Sequence, residues 1–154
     1  MRKNVFILCC LGMVILLNHS AFSQKITIEK SYPEAFLRAY DNYVNKNYAA
    51  SFEQFSALVE QTPQDREELL QDIMFYRASS AYEMMNKDAD ALLCEFISLC
   101  PQSSHCNEAY FLLANFYARG ERYDQAIEVY SMMNVAILNQ DDKFEYYYKR
   151  GHCL

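Results

Sequence analysis

The sequence predicts an all-α fold of antiparallel helical hairpins, and three observations carry that prediction. In the stretch Glu108 to Met133, Tyr110, Leu113, Ala114 and Tyr117 recur at i, i+3, i+4 and i+7, and Tyr123, Ala126, Ile127 and Tyr130 repeat that spacing. This is the period of one helix face. The chain of 154 residues holds only three glycines and three prolines, too few for the tight turns of an all-β fold. Finally, the same aromatic-then-small arrangement appears 35 residues upstream of Tyr110, at Phe75, Ala78, Ser79 and Tyr82. With 52 % hydrophobic residues, the chain has enough apolar side chains to fold rather than stay disordered.

Taken in order, residues 1–23 read as a secretory signal peptide. Arg2 and Lys3 form its charged start, Val5 to Leu17 its apolar core, and Ala21-Phe22-Ser23 a small-x-small cleavage site that leaves Gln24 as the mature start. The apolar run stops at Asn18-His19-Ser20, short of the roughly 20 residues a spanning helix needs, so no stable membrane span is expected in the mature chain. Residues 24–32 are expected to be an extended lead-in. Lys25 to Lys30 alternates polar and apolar, but a single strand has nothing to pair with.

Pro33, near a first helical turn where its missing N–H costs nothing, opens a helix whose face is marked by Phe36, Ala39, Tyr40 and Tyr43. After Asn45-Lys46-Asn47, a second helix carries Tyr48, Ser51, Phe52, Phe55 and Leu58 and stops near Pro63. Arg66 to Met85 forms the third helix. Its partner runs from about Ala89 to Cys100 and ends at Pro101. The Glu108–Met133 hairpin follows. In it, Gly120 is expected to stop the first helix by adopting a positive φ, and small Ala114 and Ala126 let the two helices approach closely. Lys143 onward starts a further helix with Tyr146-Tyr147-Tyr148 and Gly151.

These residues resemble the tetratricopeptide repeat (TPR). The family pattern W-x2-L-G-x2-Y...A-x3-F...P over 34 residues falls on Tyr110, Leu113, Ala114, Tyr117, Tyr123, Ala126 and Tyr130, without the Trp, and with Leu138 in place of the final Pro. Two earlier units match with shortened turns, and Tyr147, Arg150 and Gly151 look like the opening of a fourth. The resemblance implies a right-handed solenoid over residues 33–154, with repeats at about 33–63, 66–101 and 107–138 and a partial one at 143–154. Solenoids close with a polar capping helix, so the sequence is expected to be the N-terminal part of a longer protein. The last helix is then expected to fray or to mediate self-association. The run from Phe96 to Tyr117 is similar to TPR segments of outer-membrane assembly lipoproteins and of the Tol-Pal-associated periplasmic protein, although no lipid-bearing Cys follows the cleavage site.

Chemistry is sparse. No G-x-S-x-G elbow, H-E-x-x-H or Gly-rich phosphate loop occurs, so no enzyme activity, catalytic residue or cofactor is expected. The formal net charge is −6 and no basic run supplies the counterion-displacing face that nucleic acid binding requires. Cys94, Cys100, His105 and Cys106 do not match structural zinc spacings, so no metal is expected. Cys100 and Cys106 flank a short turn and are candidates for a local disulfide in an oxidising compartment; the alternative is that they are small buried hydrophobes.

The aromatic stripes, Tyr110, Tyr117, Tyr123 and Tyr130, are expected to pack between helices. By the resemblance, groove-lining candidates sit just off that face: Tyr76, Ser80 and Glu83 in one repeat, and Glu108, Phe111, Asn115 and Arg119 in the next. The expected function is a non-catalytic scaffold in the bacterial cell envelope, periplasmic or associated with the outer membrane, that binds a protein or peptide. The alternatives are the extracytoplasmic input region of a membrane regulator and an enzyme whose catalytic domain lies downstream.

Overall fold

The computed structural model describes residues 32–154. The signal peptide expected at 1–23, and all but the last residue of the expected lead-in, lie outside the described residues. Seven α-helices make up the described chain: α1 (Glu34–Val44), α2 (Tyr48–Gln61), α3 (Glu67–Glu83), α4 (Ala89–Leu99), α5 (Cys106–Arg119), α6 (Tyr123–Ser131) and α7 (Gln140–His152). A 3-10 turn, Val135–Ile137, precedes α7. No strand occurs among the described residues. The fold is all-α.

The described residues fall into two compact units, 32–37 in the first and 38–154 in the second. In the first, Tyr32 stacks on Phe36 with ring centroids 4.3 Å apart, and the Leu37 amide donates to the Pro33 carbonyl at 3.1 Å. This is the helix start that Pro33 predicts. In the second unit, α2 packs on α3, α3 on α4, α4 on α5, α5 on α6 and α6 on α7, and α3 also touches α5. Consecutive helices joined by short links fold back on each other, as apolar faces that share a helical period require.

Phe75, Leu93, Phe96 and Tyr130 are fully or almost fully buried, and Ala78, Ala89, Ala114 and Ala126 have no exposed surface. Alanine there lets backbones approach so that the neighbouring rings and leucines meet across the gap, and packing at that density is sensitive to a single methylene. Helix ends follow the prolines. Thr62, before Pro63, is extended at φ −86°, ψ 122°, because proline's ring excludes the helical region for the residue ahead of it.

Three turns share one geometry. Lys46, Met85 and Glu121 take positive φ, at 61°, 55° and 57°. In each case the next amide reaches back five residues: Asn47 to the Asn42 carbonyl at 2.8 Å, Asn86 to Ala81 at 2.9 Å and Arg122 to Tyr117 at 2.9 Å. The turn residue itself donates to the carbonyl three back, on Tyr43, Tyr82 and Ala118 respectively. This paired closure satisfies carbonyls that a helix end would leave bare.

It also corrects the expectation for Gly120, which has φ −86°. Glu121 carries the positive φ instead. In the two upstream turns that residue follows its tyrosine by three positions (Tyr43 to Lys46, Tyr82 to Met85). From Tyr117 to Glu121 the interval is four, because Gly120 extends the helical path by one residue. Two more expectations change. Tyr123, expected in the hairpin core, is 40 % exposed, since it is the first residue of α6 and lies beyond the reach of α5's face. The 3-10 turn before α7 has no counterpart in the periodicity of the sequence.

Candidate functional site

On α5 the four candidates Glu108, Phe111, Asn115 and Arg119 fall at i, i+3, i+7 and i+11, a single stripe. The neighbour across from that stripe is α7, which presents Asp142, Glu145, Lys149 and His152 at the same kind of spacing. Two clefts open between the helices. The first, about 450 Å³, is bordered by Glu108, Phe111, Met133, Leu138, Asp142 and Glu145. The second, about 330 Å³, is bordered by Asn115, Arg119, Tyr130, Tyr148, Lys149 and His152. The seam is therefore acidic over an apolar floor at one end and basic at the other.

Lys149 stands where the two clefts meet. Its Nζ lies 2.8 Å from the Glu145 carboxylate and 5.0 Å from the centroid of the Phe111 ring, a cation–π contact. At the acidic end, Asn139 caps α7: its Oδ1 accepts from the Asp142 amide at 2.9 Å, while its Nδ2 donates to the Asp142 carboxylate at 2.7 Å. At the basic end, the Tyr130 hydroxyl donates to Asn115 Oδ1 at 2.6 Å. Burial pushes that phenol well above its ordinary pKa, so it stays a donor at any physiological pH. The Arg119 guanidinium lies 4.4 Å from the Tyr82 ring centroid, which pins it at the rim of the cleft. Tyr82's own phenol is raised by burial, with Arg119 opposing.

The α3 candidates are not gathered into this seam. Ser80 is fully buried; its hydroxyl donates to Ser51 Oγ at 3.0 Å, and Ser51 in turn donates to the Ala39 carbonyl at 3.1 Å. It is a core link between α3 and α2, not a groove residue, because the neighbouring hairpin covers this side of α3. Tyr76 is half-buried in an aromatic cluster, 5.0 Å from Tyr40, 5.1 Å from Tyr43 and 5.7 Å from Phe55 by ring centroids. Glu83 is exposed. Asn115 is also buried, at 4 %, yet it borders the second cleft.

His105, weighed in the sequence only as a metal ligand, has a different role. It precedes α5, and its ring stacks on Phe75 at 4.2 Å and 7°. Nε2 lies 3.2 Å from the Asp72 carboxylate and Nδ1 3.8 Å from that of Glu108. The Asp72 carboxylate, then the nearby Glu108 carboxylate, raise its pKa to about 9 against the opposing effect of burial. The imidazolium thus joins α3 to α5. The signal was non-local, since Asp72 lies on another helix.

The cysteines Cys94, Cys100, Cys106 and Cys153 are free thiols. Cys100 ends α4 inside the core and Cys106 begins α5; burial raises both pKa values, which keeps them protonated and weakly nucleophilic. Among the described residues, no group of three His, Cys, Asp or Glu side chains is arranged to hold a metal ion, and no helix is long and apolar enough to cross a membrane. No protein-family model, curated protein or solved structure matches the chain.

Proposed function

We propose that this chain is a non-catalytic protein-binding scaffold of TPR-like hairpins, exported to the bacterial cell envelope, and that the α5–α7 seam is its binding surface. The observation that carries the reading is the stripe Glu108, Phe111, Asn115 and Arg119 bordering two open clefts opposite α7. The solenoid part of the reading is supported by the three identically closed turns at Lys46, Met85 and Glu121 and by packing that runs between successive helices. Export rests on the leader-like residues 1–23. The outer face of α7, where Phe144 and Tyr147 are exposed, is assigned to contact with a second copy.

The test is photocrosslinking in the living envelope. A benzophenone amino acid replaces Phe111 or Arg119 in the seam, or exposed Glu60 on α2 as the control. One discrete partner trapped at both seam positions and absent at Glu60 is the expected result. The same products at all three positions, or none at the seam, would sink the proposal. Edman sequencing of the exported form should begin at Gln24.

A further inference from the structure

We infer that the α5–α7 seam selects an extended peptide with a basic side chain at one end and an acidic side chain about six residues away on the same face. This rests on the scaffold reading and names the chemistry of its partner.

The acidic end supplies the first half. Glu108, Asp142 and Glu145 border the 450 Å³ cleft over Phe111, Met133 and Leu138. That combination suits a side chain with an apolar stem and a cationic head, as in arginine or lysine. Among the described residues, two protein cations approach the three carboxylates: His105, 3.8 Å from Glu108, and Lys149, 2.8 Å from Glu145.

The basic end supplies the second half, and here the independent observation is Asn115. The residue is 4 % exposed and Tyr130 occupies its oxygen, but its amide NH2 has no partner in the protein and the residue borders the cleft. That NH2 is not one of the fully buried orphan donors, so it opens on the cleft, where an arriving acceptor can meet it without displacing a protein partner. Arg119, Lys149 and His152 surround the same cleft, so the acceptor they favour is anionic.

The spacing follows from helix geometry. Glu108 and Arg119 are eleven residues apart on α5, or about 16 Å at the helical rise. An extended chain covers about 3.3 Å per residue, so the span needs about five residues, and because side chains alternate between the two faces the two charged residues that both face the seam stand about six apart. The ends are also coupled. Lys149 bridges Glu145 and Phe111 between the clefts. A basic ligand group that takes Glu145 frees Lys149 to meet the acidic group.

The probe is the peptide Gly-Arg-Ala-Leu-Ala-Ala-Ala-Glu-Gly, acetylated and amidated so that its termini carry no charge. It is titrated against the purified protein by amide chemical shifts. Three analogues place Gln for Arg, Gln for Glu, and Gln for both. The parent should bind about fivefold tighter than either single analogue, with the double analogue weakest. Shifts should be confined to residues 107–111, 115–119 and 142–152. Glu108→Gln with Asp142→Asn should abolish the preference for Arg, and Arg119→Gln the preference for Glu. The wild-type titrations stand on their own if a variant fails to fold. Equal affinity for all four peptides, shifts elsewhere, or no saturable shift up to about 10 mM would overturn the inference. If crosslinking still traps a partner at Phe111 and Arg119 in that case, the scaffold reading survives. If the peptides discriminate but nothing is trapped, the charge selectivity stands and the scaffold reading falls.

Discussion

Helices α5 and α7 carry related faces and meet opposite fates. On α5, the positions Tyr110, Leu113 and Ala114 lie under α6, and Ala114 has no exposed surface. On α7, Tyr147, Arg150 and Gly151 occupy the same relative places, yet Tyr147 is 60 % exposed and a Cβ built on Gly151 would meet nothing within 4 Å. What holds α7 is its other side. Tyr146 is buried, its hydroxyl donates to the Tyr130 carbonyl at 3.2 Å, and its ring meets the Tyr130 ring edge-on at 5.7 Å. A periodic pattern therefore marks a face that can be buried, but burial itself requires an element to cover it.

The contrast can be broken most strongly at Tyr130, which serves both helices. Tyr130→Ala removes a fully buried ring and the Asn115 hydrogen bond, and should cost about 3–5 kcal/mol in urea unfolding. Tyr147→Ala on the uncovered face should stay within about 0.5 kcal/mol. Were the two losses similar at a concentration where the protein is monomeric, another part of the chain would cover α7 in solution.

The next effect sharpens the comparison through pH, because α5 has a charged tie to α3 in His105. Its folded pKa of about 9 lies above the unfolded value of about 6.5. The stabilisation is thus complete below pH 6.5 and disappears as pH rises through 9. Wild type should exceed His105→Gln by on the order of 2 kcal/mol at pH 6, with the gap closing by pH 10. A gap independent of pH would mean that stacking on Phe75, rather than charge, holds the ring.

Smaller still is Gly151→Ala, expected to stabilise by about 0.5–1 kcal/mol because it removes glycine's backbone freedom from a helix and meets open space. Destabilisation would reveal a contact at that point. The smallest effect on folding is expected from Phe144→Ser with Tyr147→Ser, which should leave unfolding unchanged while abolishing self-association in sedimentation velocity. A wild-type protein that is monomeric at high concentration would remove the second-copy role assigned to α7.

The sequence alone determined what depends on near neighbours. Each helix, the hairpin links, and the stops before Pro63 and Pro101 were legible, because backbone preference and apolar period act within a few residues. The α5 stripe was legible as a stripe for the same reason. Tertiary structure decided everything that needed a second element. It buried Ser80 beneath the neighbouring hairpin, took up Asn115's oxygen with Tyr130, set His105 against Asp72, and placed α7's charges opposite those of α5. Even the turn after α5 was decided by its closing hydrogen bonds, which put the positive φ on Glu121 rather than on Gly120. Period assigns a residue to a face; only a partner brought in from elsewhere in the chain determines whether that face becomes core, groove or open surface.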